Sequence, residues 1–293
     1  MLRKIPNTYN YAEAYLTFRC NFSCSYCINK QNDLKRRVEL SPQQWISGLN
    51  QIEFNGISLT LGGGEPTLHK GFYEILNGLR KDIKVDLLTN LRFNVEEFVR
   101  QTTPDRFTKD SKPFYHSIRV SFHSEQSDKK EIISKAAFLQ EKGFSIGIFG
   151  INHPYYINEN MEIGFLCSRS GVPFYGKDFL GHVDGRLYGF YKYPEGLNGI
   201  KKSCECKTRE LLIAPNGNVH RCHRDLYEDE NPVGNILDET YAPRDIFKLC
   251  TNYGECNPCD LKNKTNRFLK GIDCQVEIKS LTDNKGLEKQ TKS

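Results

Sequence analysis

Three cysteines lie close together near the start of the chain, at Cys20, Cys24 and Cys27, directly after an apolar stretch that predicts a strand. A loop at the end of that strand would carry all three thiols, and thiolates at this density typically bind zinc or an iron–sulfur cluster. No fourth cysteine or histidine follows nearby, so a metal group here would keep one position open for a substrate or cofactor. The alternative is a zinc loop completed by a distant residue such as His69 or His123.

A second concentration of cysteines occupies the last third of the chain. Cys206 and Cys222 flank two apolar runs joined at residues 215–218, Pro-Asn-Gly-Asn, and Asn-Gly between apolar runs is a strong hairpin signal. A hairpin would bring the two cysteines together. The close pair Cys256 and Cys259 would complete a site of four thiolates, closed to further ligands, for zinc or an iron–sulfur cluster.

Other cysteines leave alternatives open. Cys204 could replace Cys206 as a ligand, Cys250 is a further candidate, and Cys167 is expected to be a buried core thiol. The chain has 11 cysteines, an odd number, and its start lacks the apolar segment of a secretory signal. A disulfide framework is therefore disfavoured, and reduced metal-binding thiols in a cytoplasmic protein are predicted.

The elements that must position these cysteines alternate along the chain. Strands are predicted over 13–18, 57–61, 84–89, 117–122, 144–151 and 172–176, and helices over 41–54, 72–81, 94–101, 128–142 and 158–170. The pattern is that of an α/β protein with a parallel sheet. Six repeats predict a partial (β/α)6 TIM-like barrel, with ligands at the carboxyl ends of its strands.

The chain is predicted to divide into a barrel at 1–180, a connector at 181–203, a cysteine-rich β-hairpin/α domain at 204–280 and a mobile tail at 281–293. The connector is rich in aromatic residues, which either cap the barrel mouth or pack between the domains: Tyr188, Phe190, Tyr191 and Tyr193. A net charge of +5 from scattered lysines makes a nucleic-acid partner unlikely, and no apolar run is long enough to span a membrane.

The first cysteine motif, with Tyr26 before its last cysteine, resembles the signature of the radical S-adenosylmethionine (SAM) superfamily. The tetrapeptide Gly63-Gly64-Glu65-Pro66, at the end of the next predicted strand, is similar to the second motif of that family. The resemblance implies that Cys20, Cys24 and Cys27 bind a 4Fe-4S cluster. The amino and carboxylate groups of SAM would then chelate its fourth iron.

Weaker similarities extend this resemblance to other SAM contacts. Asn90, after Thr89, ends the third predicted strand as in the family, and Ser121 stands where many members carry a serine that contacts SAM. Either residue could instead be an ordinary polar residue at a strand end. Family members often follow that serine with Asp-Gly, whereas this chain has Phe122-His123-Ser124.

The second cysteine group is similar to the twitch domain, a SPASM-like module that follows the partial barrel in some members of the family. The resemblance implies one auxiliary 4Fe-4S cluster bound by Cys206, Cys222, Cys256 and Cys259, with a structural zinc as the alternative. The longer SPASM domain needs a dense run of cysteines that this chain lacks.

The implied activity is reductive cleavage of SAM to a 5′-deoxyadenosyl radical, which abstracts a hydrogen atom from the substrate. An auxiliary cluster favours net oxidation, and the layout is similar to that of the butirosin-pathway dehydrogenase branch, so a sugar, cyclitol or similar small molecule is the expected substrate. Flavodoxin or ferredoxin would supply electrons. The alternatives are epimerisation or crosslinking of a peptide or nucleoside and, more distantly, a noncatalytic zinc or iron–sulfur protein. Four residues are candidate bases without motif support: Lys177, His220, His223 and Asp225.

Overall fold

The computed structural model describes residues 2–27, 38–108, 115–261 and 276–281. The strands are β1 (Arg3–Lys4), β2 (Tyr11–Thr17), β3 (Ile52–Glu53), β4 (Leu59–Gly63), β5 (Val85–Thr89), β6 (Ile118–Phe122), β7 (Ile146–Asn152), β8 (Phe174–Asp178), β9 (Gly181–Val183), β10 (Arg186–Tyr188), β11 (Lys202–Thr208), β12 (Glu210–Ile213), β13 (Asn218–His220), β14 (Gly234–Asn235), β15 (Lys248–Tyr253) and β16 (Val276–Ser280). The helices are α1 (Pro42–Asn50), α2 (Phe72–Gly78), α3 (Val95–Gln101), α4 (Lys129–Glu141), α5 (Ile157–Arg169), α6 (His223–Glu228) and α7 (Pro258–Leu261). Among the described residues, no helix has the length and apolar character needed to cross a membrane.

The main sheet has the order β14-β13-β12-β2-β4-β5-β6-β7-β8 within the described part of the chain. Its strands from β12 to β8 are all parallel, and β13 and β14 continue it in the antiparallel sense. The six predicted strands correspond to β2, β4, β5, β6, β7 and β8. The predicted α/β fold with a parallel sheet is confirmed, and the carboxyl ends of these strands meet at one edge.

Side-chain alternation along β2 explains how the sheet is covered on both faces. Ala12, Ala14 and Leu16 belong to the large core shared with the helices, whereas Tyr11 and Tyr15 belong to a second, smaller core. Strands buried on both faces are typical of parallel sheets. The second core is filled from the C-terminal part of the chain, which supplies α6.

Helix α1 shows why the predicted and observed helix ends differ. Ser41 caps its first turn with a complete capping box, and Pro42 stands in the first turn, as predicted. The helix ends at Asn50, short of the predicted residue 54, because Ile52 and Glu53 form β3 and pair with β1. Pairing with the N-terminal strand therefore overrides the continued helical spacing.

The hairpin predicted around Gly217 is confirmed: β12 and β13 are antiparallel, and Gly217 has φ +81°. Its first strand also pairs in parallel with β2, with Glu210 opposite Tyr11, so the main sheet continues across the predicted boundary at residue 204. Strand β11 lies in a separate sheet of order β15-β11-β16. Residues 282–293, most of the predicted tail, lie outside the described residues.

Candidate active site

The loop that follows β2 carries Cys20, Cys24 and Cys27, and all three residues are half-buried. Burial, followed by the nearby Cys27 and Cys20 thiols, raises the pKa of Cys24 to about 12. Because the Cys20 and Cys27 thiols contribute to this shift, their sulfurs lie near that of Cys24. A positively charged metal group would favour the thiolate forms that the shift otherwise opposes.

Gly63 and Gly64 join the end of β4 to the start of this loop. Gly64 donates its backbone N–H to the Thr17 carbonyl at 2.9 Å, and Glu65 donates to the Arg19 carbonyl at 2.8 Å. A Cβ on Gly64 would lie 2.3 Å from the Arg19 oxygen, and one on Gly63, which has φ +130°, would lie 2.1 Å from the Thr17 oxygen. In this structure the glycines are therefore required where two backbone segments touch.

Glu65 is fully buried and links β4 to the end of β5. One carboxylate oxygen accepts from the Thr67 backbone N–H at 3.2 Å, the other accepts from the Asn90 backbone N–H at 2.7 Å, and the Thr89 hydroxyl lies 3.0 Å from both. Burial raises the pKa of Glu65, although these hydrogen bonds act in the opposite direction. Pro66 begins a short 3-10 turn capped by the same carboxylate.

Asn90 connects the hydrogen bonds of Glu65 to the cysteine loop. Its side-chain amide donates to Asn21 at 2.7 Å and lies 3.8 Å from the Cys20 sulfur. Ser121 is half-buried near the end of β6, opposite Phe149 in β7. The residues predicted to contact SAM on β4, β5 and β6 therefore lie on neighbouring strands, and Asn90 is the one that reaches the thiols.

A polar and aromatic cluster on the other side of the loop was missed by the sequence reasoning. Tyr26 lies 3.3 Å from His123 through its hydroxyl and stacks on His153 at 5.1 Å between ring centroids. The Ser25 backbone N–H donates to Glu125 at 2.7 Å. Burial lowers the pKa of His123 to about 4, so this ring is neutral at pH 7. The departure from Asp-Gly after Ser121 was the available signal, because it supplies His123.

The donor set of the first site suits an iron–sulfur cluster, because three thiolates on one loop could each bind a different iron. Within residues 2–27, 38–108, 115–261 and 276–281, no three His, Cys, Asp or Glu side chains gather closely enough to hold one metal ion. Three thiolates on a 4Fe-4S cluster would leave one iron open for a further ligand.

Five cysteines converge in the C-terminal region: Cys204, Cys206, Cys222, Cys250 and Cys256. We call them the C-terminal thiol group. Cys204 and Cys250 stand opposite each other in β11 and β15. Hydrogen bonds to Cys250 raise the pKa of Cys204 and of Cys206, and they lower the pKa of Cys250. Cys222 lies close enough to act on Cys206, and Cys256 on Cys204.

The strand that carries Cys206 differs from the predicted one. Cys206 does not flank the hairpin directly, because it lies on β11 in the smaller sheet, two residues from Cys204 on the same face. Cys259 lies on the short α7, and its backbone N–H donates to the Asn257 side chain at 3.0 Å. Cys167 is fully buried in the main core, as predicted.

The candidate bases contact neighbouring side chains or backbone carbonyls. His220 is buried and its Nδ1 lies 2.9 Å from the Glu230 carbonyl, whereas the Lys177 ammonium lies 4.7 Å from the Phe149 ring. Asp225 is buried and contacts Arg224 at 3.2 Å. None of these contacts distinguishes one residue as a proton acceptor.

A series of buried rings lies between the two cysteine regions. Phe18, two residues before Cys20, contacts Tyr15 with ring centroids 5.8 Å apart, and Tyr15 contacts His223 at 6.4 Å. Tyr227 packs against Tyr15 at 6.1 Å and against His223 at 5.9 Å. Because His223 follows Cys222, these rings connect one cysteine region to the other by direct packing.

The fold and the first site define the class of protein. The model of the radical SAM superfamily matches residues 15–162, just over half of the chain, and the chain belongs to that family. Membership of this family supports binding of SAM and of one 4Fe-4S cluster.

Comparison with individual proteins adds relatives of differing kinds. The chain is 35% identical over 97 residues to a 7-carboxy-7-deazaguanine synthase from Clostridium acetobutylicum, a match covering 32% of this chain and 43% of that protein. SuiB from Streptococcus suis has a similar structure, with TM-score 0.56, 17% identity and coverage of 79% of this chain and 64% of SuiB. The enzyme anSMEcpe, solved with bound S-adenosylmethionine, gives TM-score 0.54, 14% identity and 78% coverage of both chains. At these identities the two structures show the fold alone.

Proposed function

We propose that this radical SAM enzyme oxidises a small polar molecule, of the sugar or cyclitol class, with the help of a second 4Fe-4S cluster. The observation that carries the proposal is the convergence of five thiols at the C-terminal thiol group. Four of them would bind the cluster. This set keeps Cys206, Cys222 and Cys256 of the predicted ligands and adds Cys204 and Cys250, the two residues that the sequence offered as alternatives.

The reaction balances when a second cluster accepts one electron. The 5′-deoxyadenosyl radical removes a hydrogen atom from a carbon that carries a hydroxyl group, which leaves a carbon radical on the substrate. Loss of the hydroxyl proton to a base or to water, and of one electron to the second cluster, then forms the carbonyl. The chain's own task is to hold that carbon near the Cys20 loop and to keep water away from it.

A polar barrel interior supports a small polar substrate. Glu13 on β2 is buried and accepts from the Tyr11 hydroxyl at 2.5 Å. Arg119 on β6 is buried, lies 3.7 Å from Asp86, and its Nε has no hydrogen-bond partner among the described residues. Hydroxyl or amino groups of a substrate would satisfy such groups, whereas an apolar ligand would leave them unpaired.

A peptide substrate is the second candidate, and similar structures supply its support. The enzyme anSMEcpe was also solved with S-adenosylmethionine and a peptide, at TM-score 0.53 and 13% identity to this chain. The curated relative is named for a small-molecule product, 7-carboxy-7-deazaguanine. We favour the small molecule because of the interior charges.

A flavodoxin or ferredoxin as electron donor, a cytoplasmic location and no nucleic-acid partner complete the proposal.

Iron content tests the second cluster. After anaerobic reconstitution we expect about eight irons per wild-type chain and about four in a variant with Cys20, Cys24 and Cys27 all changed to alanine. Dithionite and SAM should yield 5′-deoxyadenosine from the wild type alone. Four irons in the wild type and none in the variant would refute the second cluster and the oxidation that depends on it.

Substrate class is tested with cyclitols, amino sugars and short peptides as separate panels. If the enzyme oxidises its substrate, one 5′-deoxyadenosine should form for each carbonyl. With a substrate deuterated at the carbon to be oxidised, the deuterium should appear in 5′-deoxyadenosine. Deuterium transfer from a peptide, with none from the polyols, would refute the small-molecule proposal and support the peptide candidate.

A further inference from the structure

Arg221 is a nearly buried cation beside the C-terminal thiol group, with a side chain only 13% exposed. It directly precedes Cys222, just after β13. Its guanidinium donates to the backbone carbonyls of Lys248 and Leu249, at 3.2 Å each. These two residues directly precede Cys250, so Arg221 ties the segment carrying one thiol to the strand carrying another.

The strand register extends this tie to β11. Lys248 is paired with Cys206, and Cys250 is paired with Cys204. The carbonyls that Arg221 holds are therefore those of the strand segment facing both β11 cysteines. One side chain thus connects the three segments from which Cys206, Cys222 and Cys250 arise.

The charge of Arg221 is only partly balanced. Among the described residues, its nearest carboxylate is Asp225 at 3.9 Å, and that group also contacts Arg224 at 3.2 Å. By contrast, Arg224 is neutralised by Glu230 at 2.6 Å.

We propose that Arg221 is a positioning residue of the second cluster, which fixes the strand carrying Cys250 and raises the reduction potential of the cluster by its charge. The inference rests on the proposed function. A reduced cluster carries one more negative charge than an oxidised one, so a nearby cation stabilises the reduced form. Arg221 would thereby favour transfer of the substrate electron to the cluster.

The test uses the full-length chain with Cys20, Cys24 and Cys27 changed to alanine, so that only the second cluster is loaded. Iron content is measured first, and the reduction potential follows from an anaerobic titration monitored by electron paramagnetic resonance. We expect Arg221→Gln to keep its iron and to shift the potential to more negative values. Arg221→Lys keeps the charge and should lie closer to the parent.

Arg224→Gln is the matched control, because Arg224 is equally buried but paired with Glu230, and its potential should stay near that of the parent. An Arg221→Gln potential equal to the parent's would overturn the inference. The inference would also be overturned if Arg221→Gln and Arg221→Lys shifted the reduction potential equally, or lost equal amounts of iron. Either result would indicate a merely structural role for Arg221. A parent without iron would instead refute the second cluster itself, and the inference with it.

Discussion

Replacing Glu65 by glutamine should destabilise the junction between β4 and β5, although the two side chains have nearly the same shape. Each carboxylate oxygen of Glu65 accepts a backbone N–H, from Thr67 at one oxygen and from Asn90 at the other. Glutamine has a single acceptor oxygen and an NH2 group. Whichever way the amide turns, a donor will face one of these buried N–H groups.

The expected cost follows from what is lost at that oxygen. One hydrogen bond to a charged group contributes about 1.5–3 kcal/mol, and a buried N–H without a partner costs about 1–3 kcal/mol. The two effects overlap, because both describe the same bond, so we expect a loss of about 3 kcal/mol. Asn90 should also lose its fixed position near Cys20, from which its amide lies 3.8 Å from the sulfur.

The assay is urea unfolding followed by circular dichroism, with iron binding measured in parallel. Glu74→Gln is the control, because Glu74 is exposed and its hydrogen bond to Gln43 is at the surface. We expect the control to change stability by less than about 0.5 kcal/mol. A Glu65→Gln protein as stable as the control would show that the carboxylate does not act as an acceptor at both oxygens, and the reasoning would be wrong.

The remaining predictions concern the two cysteine regions. Gly64→Ala should cost about 1–3 kcal/mol and lower iron at the first site, because its Cβ would lie 2.3 Å from the Arg19 oxygen; unchanged iron would contradict the close contact. The low pKa of His123, about 4 against an ordinary 6.5, means that the unfolded chain binds more protons between these values. Stability should therefore fall as pH drops from 6.5, by about 2.5 kcal/mol at pH 4.5. The urea midpoint of the His123→Asn variant should fall less over the same pH range. Cys250→Ala should lose the iron of the second site while Cys259→Ala retains it, and the opposite result would restore Cys259 as a ligand.

The sequence predicted the order of the elements well, because this order depends on local signals. The six barrel strands are apolar runs bounded by polar residues, and strand periodicity needs no knowledge of distant contacts. The same is true of the cap at Ser41 and the turn at Gly217, where one side chain or one φ value decides the conformation. Because the carboxyl ends of parallel strands lie at one edge of the sheet, the Asn90 amide lies 3.8 Å from the Cys20 sulfur.

Contacts between distant segments were not predictable in the same way. The role of β11 depends on β15, which lies more than 40 residues further along the chain, and no local pattern specifies that pairing. For this reason Cys206 was expected to flank the hairpin directly and Cys250 was only an alternative. Glu65 was predicted as a cofactor contact, and this stays a prediction; its bonds to Thr67 and Thr89 at one oxygen and to Thr89 and Asn90 at the other were not foreseen.

The position of the two cysteine regions along β2 has a consequence for how electrons and atoms travel. From Tyr11 to Thr17 the strand spans about 20 Å at about 3.3 Å per residue. The first cysteine loop follows the carboxyl end, and His223, next to Cys222, lies 3.8 Å from Glu210, which pairs with Tyr11 at the amino end. Under the proposed function, bonds would change at one end of the barrel and the electron would leave near the other. The buried rings around Tyr15 would then conduct the electron between the two clusters, and a redox partner could reoxidise the enzyme without approaching the reactive radical.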